Sequence, residues 1–249
     1  MMIDRTLPSI LTPEEYEIFG IPIEYPESDG EPLAESDFQL AWIVYLLNVL
    51  GYYFRQRDDV YVAGNLLIYY EEGMPSSRVA PDVFVIMGVG NHKRKTYKVW
   101  EEGQAPHFIL EVLSPSTVSK DRGEKKGLYE LLGVQEYFMF DPVGDLISPP
   151  SLKGHQLVDG LYQPMPSTSL PDDGIALKST VLGLELRTKD DGLRLYNSQT
   201  EQYLLTYEEA ESARADAEAR IAEAESARTD AEARIAELEA RLRDLGEEI

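Results

Sequence analysis

The chain of 249 residues contains no cysteine. Disulfides, thiolate nucleophiles and cysteine-held zinc or iron–sulfur centres are therefore excluded, which is compatible with a reducing compartment. Histidine is scarce too. The three present, His92, His107 and His155, show no metal-ligand spacing. With so few candidate bases and no nucleophile elbow, a serine hydrolase is unsupported. No phosphate-cradling glycine loop is found, because GVGNHK (Gly88 to Lys93) lacks both the spacing and the following helix. Long apolar runs are missing as well. The most apolar stretch, AWIVYLLNVLGYYF (Ala41 to Phe54), is too short to cross a bilayer comfortably and is broken by Asn48 and Gly51. Residues 1–10 lack the basic and apolar regions of a secretory signal. A soluble, cytoplasmic protein with no membrane partner is expected.

Positive charge is also in short supply, with 23 Lys and Arg against 45 Asp and Glu, a net charge of −22. That weighs against a nucleic-acid partner, whose affinity depends on neutralising phosphates. Location matters more than the sum. Residues 208–249 carry fourteen acidic and six basic side chains, net −8, and the remaining −14 sits on the body. Two basic clusters stand out in the rest: HKRKTYK (His92 to Lys98) and KDRGEKK (Lys120 to Lys126). Each reads equally as a solvated face or as a local positive field for a polyanion.

What is present is a core-forming body. Hydrophobic residues make up 43% of the chain, enough for one sizeable domain and an appendage. Residues 1–35 read as an extended arm rich in Pro, Gly and acids. A helix is predicted from a cap at Ser36 or Asp37 through FQLAWIVYLLNVLGYYF, apolar on most of its surface and so packed inside. Strand-like runs follow at VYVAGNLLIYY, with Gly64-Asn65 as a turn, at DVFVIM and at HFILEVL. A helix from about Lys120 to Leu132, a strand EYFMFDP, and short strands near LVDGLYQPM and VLGLELRT complete a body of residues 36–205. This order implies an α/β fold with a mixed central sheet flanked by helices.

The tail, residues 206–249, repeats itself. ESARADAEARIAEA (Glu211 to Ala224) recurs as ESARTDAEARIAEL (Glu225 to Leu238), a period of two heptads. One seam reads Ala210, Ala217, Ala224, Ala231, Leu238, Leu245, and the other Arg214, Ile221, Arg228, Ile235, Leu242, Ile249. The pattern predicts a helix and a coiled coil that joins copies of the chain, most simply as a dimer. A single solvated helix laced with charge pairs would read similarly.

Two acids interrupt apolar strands: Asp82 opens DVFVIM and Glu111 sits inside FILEVL. A carboxylate in such a setting is costly unless paired or metal-bound. Neighbouring strands can aim two carboxylates at one point, and such a pair suits Mg²⁺, or Mn²⁺ in its place. The plainer reading is a strand-end Asp and an outward-facing Glu. A lysine follows on the next helix. Taking Leu128, Leu131 and Leu132 as the buried face, at about 100° per residue, Lys125 lies roughly 65–70° from its centre and Lys126 roughly 170°, toward solvent. Lys125 is thus the candidate cation, unless it merely pairs with Asp121. The segment SPST reads as a turn and cap. Trp42, Trp100, Tyr129 and Tyr137 read as packing residues.

The stretches DGEPLAESDF, GNLLIYYEEG and RVAPDVFVIMGV, and then YKVWEEGQAPHFILEVLSPSTVSKDRGEKKGLYELLGVQEYFMFDP, closely resemble the bacterial Uma-two family of the PD-(D/E)XK nuclease superfamily, from about Asp29 to Leu186. The resemblance implies a restriction-endonuclease-like fold and Mg²⁺-dependent endonuclease activity on DNA. It equates Asp82 with the family's PD aspartate, Glu111 with the glutamate of EVLSPST, and Lys125 with the lysine of a D-x-x-x-K helix. The usual lysine slot two residues after the glutamate is Leu113 here. Glu35 matches an acid that many of these nucleases add to the metal site, and Gln39 stands where relatives carry His. The competing reading is a non-catalytic scaffold on the same fold, self-associating through its tail.

Overall fold

The computed structural model describes residues 23–28, 37–115, 118–171, 173–189, 192–244 and 246. The chain divides into two compact units, with the division between Leu204 and Leu205.

The first unit is a mixed α/β body. Its central sheet has six strands in the order β1 (Val60–Ala63), β4 (Val83–Met87), β6 (Phe108–Val112), β7 (Glu136–Phe140), β8 (Leu152–Val158) and β9 (Leu161–Pro164). Strands β6 and β7 are parallel and their neighbours antiparallel. The parallel pair needs a crossover, which the helical segment between them supplies: α3 (Val118–Lys120), a π turn (Asp121–Lys125) and α4 (Lys126–Leu131). The β8–β9 hairpin closes on two residues, Asp159 and Gly160, both at positive φ (51° and 81°). This is the Asp-Gly turn whose twist matches that of the strands it joins.

Two apolar layers cover the two faces of this sheet. On one side pack α1 (Asp37–Tyr53) and leucines of a five-stranded antiparallel sheet, β10 (Thr168–Ser169) to β14 (Gln202–Tyr203). On the other lie α4 and a small sheet of β2 (Ile68–Tyr69), β3 (Arg78–Val79) and β5 (Tyr97–Lys98). Helix α1 is not wholly interior. Ile43, Leu46, Val49 and Leu50 are buried, whereas Leu40, Val44 and Tyr52 lie on an exposed side. Glu136, fully buried at the start of β7, accepts hydrogen bonds from the Ser179 and Thr180 hydroxyls and the Thr180 amide. It ties the second sheet to the first. Of the predicted N-terminal arm, the described residues 23–28 are irregular, and Tyr25 rests its ring on Tyr69 and Trp100.

The second unit is one helix, α5 (Tyr207–Asp244). Thr206 and Glu209 form a capping box, in which the Glu209 amide donates to Thr206 Oγ1 and the Thr206 amide to Glu209 Oε2. Ion pairs Arg214–Glu218, Arg228–Glu232 and Arg234–Glu237 run along it. Ile221, Ile235 and Leu238 of the heptad seams are about half exposed. No helix among the described residues is long and apolar enough to cross a membrane.

Candidate active site

Side chains alternate along a strand, and the register of the central sheet puts the two strand acids on one face. Leu110 pairs with Val83, so Glu111 and Asp82 are near neighbours across the antiparallel β4–β6 ladder. The Asp82 amide donates to Glu111 Oε2 at 3.3 Å, and the Val112 amide donates to Asp82 Oδ2 at 2.8 Å. Each carboxylate is thus fixed by the backbone of the other's strand. Both are buried, Glu111 completely and Asp82 with 8% exposed.

Two groups from the crossover helix close on Glu111 Oε1. The Tyr129 hydroxyl donates to it at 2.6 Å, and Lys125 Nζ lies 3.1 Å away. Lys125 and Tyr129 are four residues apart, hence on one side of the helix. This corrects the helical face expected from the sequence. Leu131, assigned to the buried side, is 83% exposed, while Tyr129 is fully buried. With the face centred on Tyr129, Lys126 three residues earlier does not point to solvent. It is half-buried and lines a cavity beside β8.

Two further residues shape the site. Gln39, buried on α1, donates from Nε2 to the Val112 carbonyl at 2.9 Å, so this residue pins the first helix to the end of β6. Gly64 lies directly over the Asp82 peptide: a Cβ there would sit 2.0 Å from the Asp82 carbonyl oxygen. The Asn65 amide donates to the Pro81 carbonyl next door. The Gly64-Asn65 turn therefore fixes the backbone that carries Asp82.

The structure thus brings Asp82, Glu111 and Lys125 together. Glu35, the third acid expected, lies outside the described residues. Among the described residues no group of three or more His, Asp or Glu could hold a metal ion. A pair of hard carboxylate ligands still fits Mg²⁺, which keeps several waters and binds through one or two carboxylates. Tyr129, read as a packing residue, is a direct partner of the site. Its offset of four from Lys125 was the available signal. Gly64 read as part of a turn and Gln39 as a family position, but neither reading pointed to the backbone groups, distant in sequence, through which both act.

The first basic cluster has a different fate. Arg94 pairs with Glu102 at 2.6 Å, Lys95 with Glu27 at 2.8 Å and Lys98 with Glu101 at 2.9 Å. The Arg94 guanidinium also lies over the Tyr61 ring. Its charge is largely answered within the fold.

Fold and site define a mixed α/β protein with two buried strand carboxylates and a helix lysine at one point. Residues 13–189 match the Uma2 family, described as "Putative restriction endonuclease". The chain belongs to that family, which sets it in a nuclease-like class. No curated protein matches it. Among solved structures it is similar to a "putative nuclease belonging to DUF820" from Anabaena variabilis, at 13% identity and a TM-score of 0.45, over 69% of this chain and 90% of that one.

Proposed function

We propose that the protein is a metal-dependent endonuclease that hydrolyses DNA phosphodiester bonds at Asp82, Glu111 and Lys125. The observation that carries this reading is the meeting of two buried carboxylates, linked through the Asp82 amide, with Lys125 3.1 Å from one of them. Asp82 and Glu111 would hold Mg²⁺ or Mn²⁺. When bound, such an ion supplies a hydroxide at neutral pH and offsets charge on the phosphate. Lys125 sets a positive charge beside that point, where it stabilises the oxyanion as bonds exchange. Tyr129 keeps the Glu111 carboxylate in one orientation, and the Val112 amide does the same for Asp82. Such fixing preserves alignment, which is where much of the rate enhancement of a positioned reaction resides.

Plasmid nicking with Mg²⁺ or Mn²⁺ tests the reading. The wild type is expected to cleave, and Asp82→Ala and Glu111→Ala to lose cleavage while remaining folded. Undiminished cleavage in either variant, or none by the wild type together with no calorimetric Mn²⁺ binding, would reject it.

The half-exposed Ile221, Ile235 and Leu238 at heptad positions support a second element of the reading, that α5 joins two copies into a dimer. Light scattering should give twice the chain mass, falling to one in Ile235→Asp/Leu238→Asp. An unchanged mass in that variant would count against the coiled coil.

A further inference from the structure

The second basic cluster contributes more than Lys125. Beside β8 lies a cavity of about 450 Å³ whose lining includes Lys126, Lys153, His155, Ser148, Met139 and Met165. Its position relative to the acid pair follows from the strand register. Glu111 on β6 faces Met139 on β7, and Met139 faces Lys153 on β8. At about 4.8 Å per strand, the Lys153 backbone lies roughly 10 Å from that of Glu111 in one row across the sheet. From the helix above, Lys126 is the chain neighbour of Lys125. Two lysines from two different elements therefore converge on one hollow beside the acids.

The chemistry of that hollow favours an anion. Among the described residues neither Lys126 nor Lys153 has an acidic partner within ion-pair distance, and the one hydrogen bond seen for Lys153 goes to the Pro149 carbonyl. The nearby acid Glu130 is engaged by the Tyr162 amide. Lys126 is close enough to His155 to help hold its imidazole neutral. Lys95 and Lys98 of the first cluster, by contrast, are matched by acids. In a chain with a net charge of −22, two half-buried lysines without ion-pair partners beside one hollow, with the single acid Glu130 near them, make a local positive field.

We propose that Lys126 and Lys153 form a backbone-phosphate subsite that seats the DNA strand a few nucleotides from the bond facing Asp82 and Glu111. The proposal rests on the nuclease reading for its ligand. It adds the surface that lets an acidic protein hold a polyanion. The axial rise of about 3.4 Å per nucleotide makes about three nucleotides the most that a separation of roughly 10 Å can span along one strand. Such contacts hold register and carry no base specificity.

The test is fluorescence anisotropy of the full chain with a labelled duplex oligonucleotide, in EDTA so that nothing is cleaved, across a salt series. Lys126→Ala/Lys153→Ala should bind about tenfold more weakly, and its salt slope should be shallower by about two, one per lost phosphate contact. Lys126→Arg/Lys153→Arg should restore both, and Lys95→Ala, whose ammonium is paired with Glu27 and which does not line this cavity, should change neither. Affinity and slope equal to the wild type in the double alanine variant would overturn the proposal. So would a loss that arginine fails to rescue, or a wild type that does not bind. Cleavage is scored separately. Binding that responds as expected without cleavage under any divalent ion would sink the nuclease reading and leave the subsite standing. Cleavage lost in Glu111→Ala, with binding indifferent to the lysines, would do the reverse.

Discussion

The two basic clusters are nearly equal as sequence and opposite as structure. In residues 92–98 the charges are spent on the fold: Arg94 reaches Glu102, Lys95 reaches Glu27 and Lys98 reaches Glu101. In residues 120–126 Lys125 reaches a fully buried strand acid and Lys126 lines a cavity. The difference lies in what each cluster stands over. The first borders a short helix, α2 (Val99–Glu102), that brings its own acids. The second rides a crossover helix that must pack on the sheet face where Asp82 and Glu111 emerge. Counting lysines in a sequence cannot separate these cases, because the partner acids are set by tertiary packing.

The sharpest way to break the comparison is to remove one lysine from each. Lys125→Ala should lower metal-dependent cleavage by about a thousandfold, the scale expected when a preorganised charge at a reacting phosphate is lost. Lys95→Ala, whose side chain is 80% exposed in its pair with Glu27, should stay within about twofold of the wild type. Initial rates of plasmid nicking decide it. Equal rates for the two variants would erase the distinction.

A second route moves the acid and leaves the lysine alone. Gly64→Ala would force a Cβ to within 2.0 Å of the Asp82 carbonyl oxygen. Neither atom is on a flexible side chain, so the turn and the Asp82 peptide must separate. Cleavage is expected to fall about a hundredfold, as a displacement of around 1 Å at a positioned group commonly gives. Strain of about 2 kcal/mol should accompany it, visible as a lower urea midpoint. A variant that is destabilised yet fully active would show that Asp82 is not held from this side.

The first cluster can be probed through stability instead. The Arg94 side chain is 5% exposed, bonded to Glu102 through Nε and Nη2, and lies over Tyr61. The hydrogen bonds from Arg94 hold the Glu102 carboxyl below its usual range. A lowered folded pKa contributes stability that is present above the unfolded value and lost as pH falls through the folded one. Arg94→Ala should cost about 2 kcal/mol near neutral pH, and less in acid, where Glu102 is protonated either way. Nicking rates should change little. Urea melts at two pH values measure this, and an equal cost at both would assign the loss to packing over Tyr61.

Much of this arrangement was legible before the fold was known, for identifiable reasons. Apolar runs interrupted by single acids marked β4 and β6, and the fourteen-residue repeat marked α5. The segment LVDGLYQPM read as short strands, and β8 and β9 lie there. Helical angle favours Lys125 over its neighbours, but hydrophobicity alone places Leu131 on the buried face and Lys126 toward solvent, whereas the fully buried residue is Tyr129, amphipathic and bonded to Glu111. Gly64 is legible as a turn residue and Gln39 as a family position, but their contacts are not, because each acts on a peptide group far along the chain, Gly64 at Asp82 and Gln39 at Val112. Local pattern carries the elements; contacts made through another segment's backbone leave no periodic trace.

The smallest effect is expected at the edge of the second cluster. His155 is partly buried between Tyr137 and Tyr162, and its Nδ1 has no hydrogen-bond partner among the described residues. Burial first, and then the positive charge of Lys126, depress its pKa to about 4. The unfolded chain therefore takes up a proton near pH 6.5 that the folded one refuses until about pH 4. Stability is full above pH 6.5 and falls through that window, by on the order of 2 kcal/mol once residual solvent access is allowed for. His155→Phe, which keeps the ring stack and removes the titration, should flatten the melting temperature between pH 6.5 and 4 by several degrees relative to the wild type. A profile in His155→Phe as steep as that of the wild type would show that the depressed imidazole beside Lys126 is not what titrates.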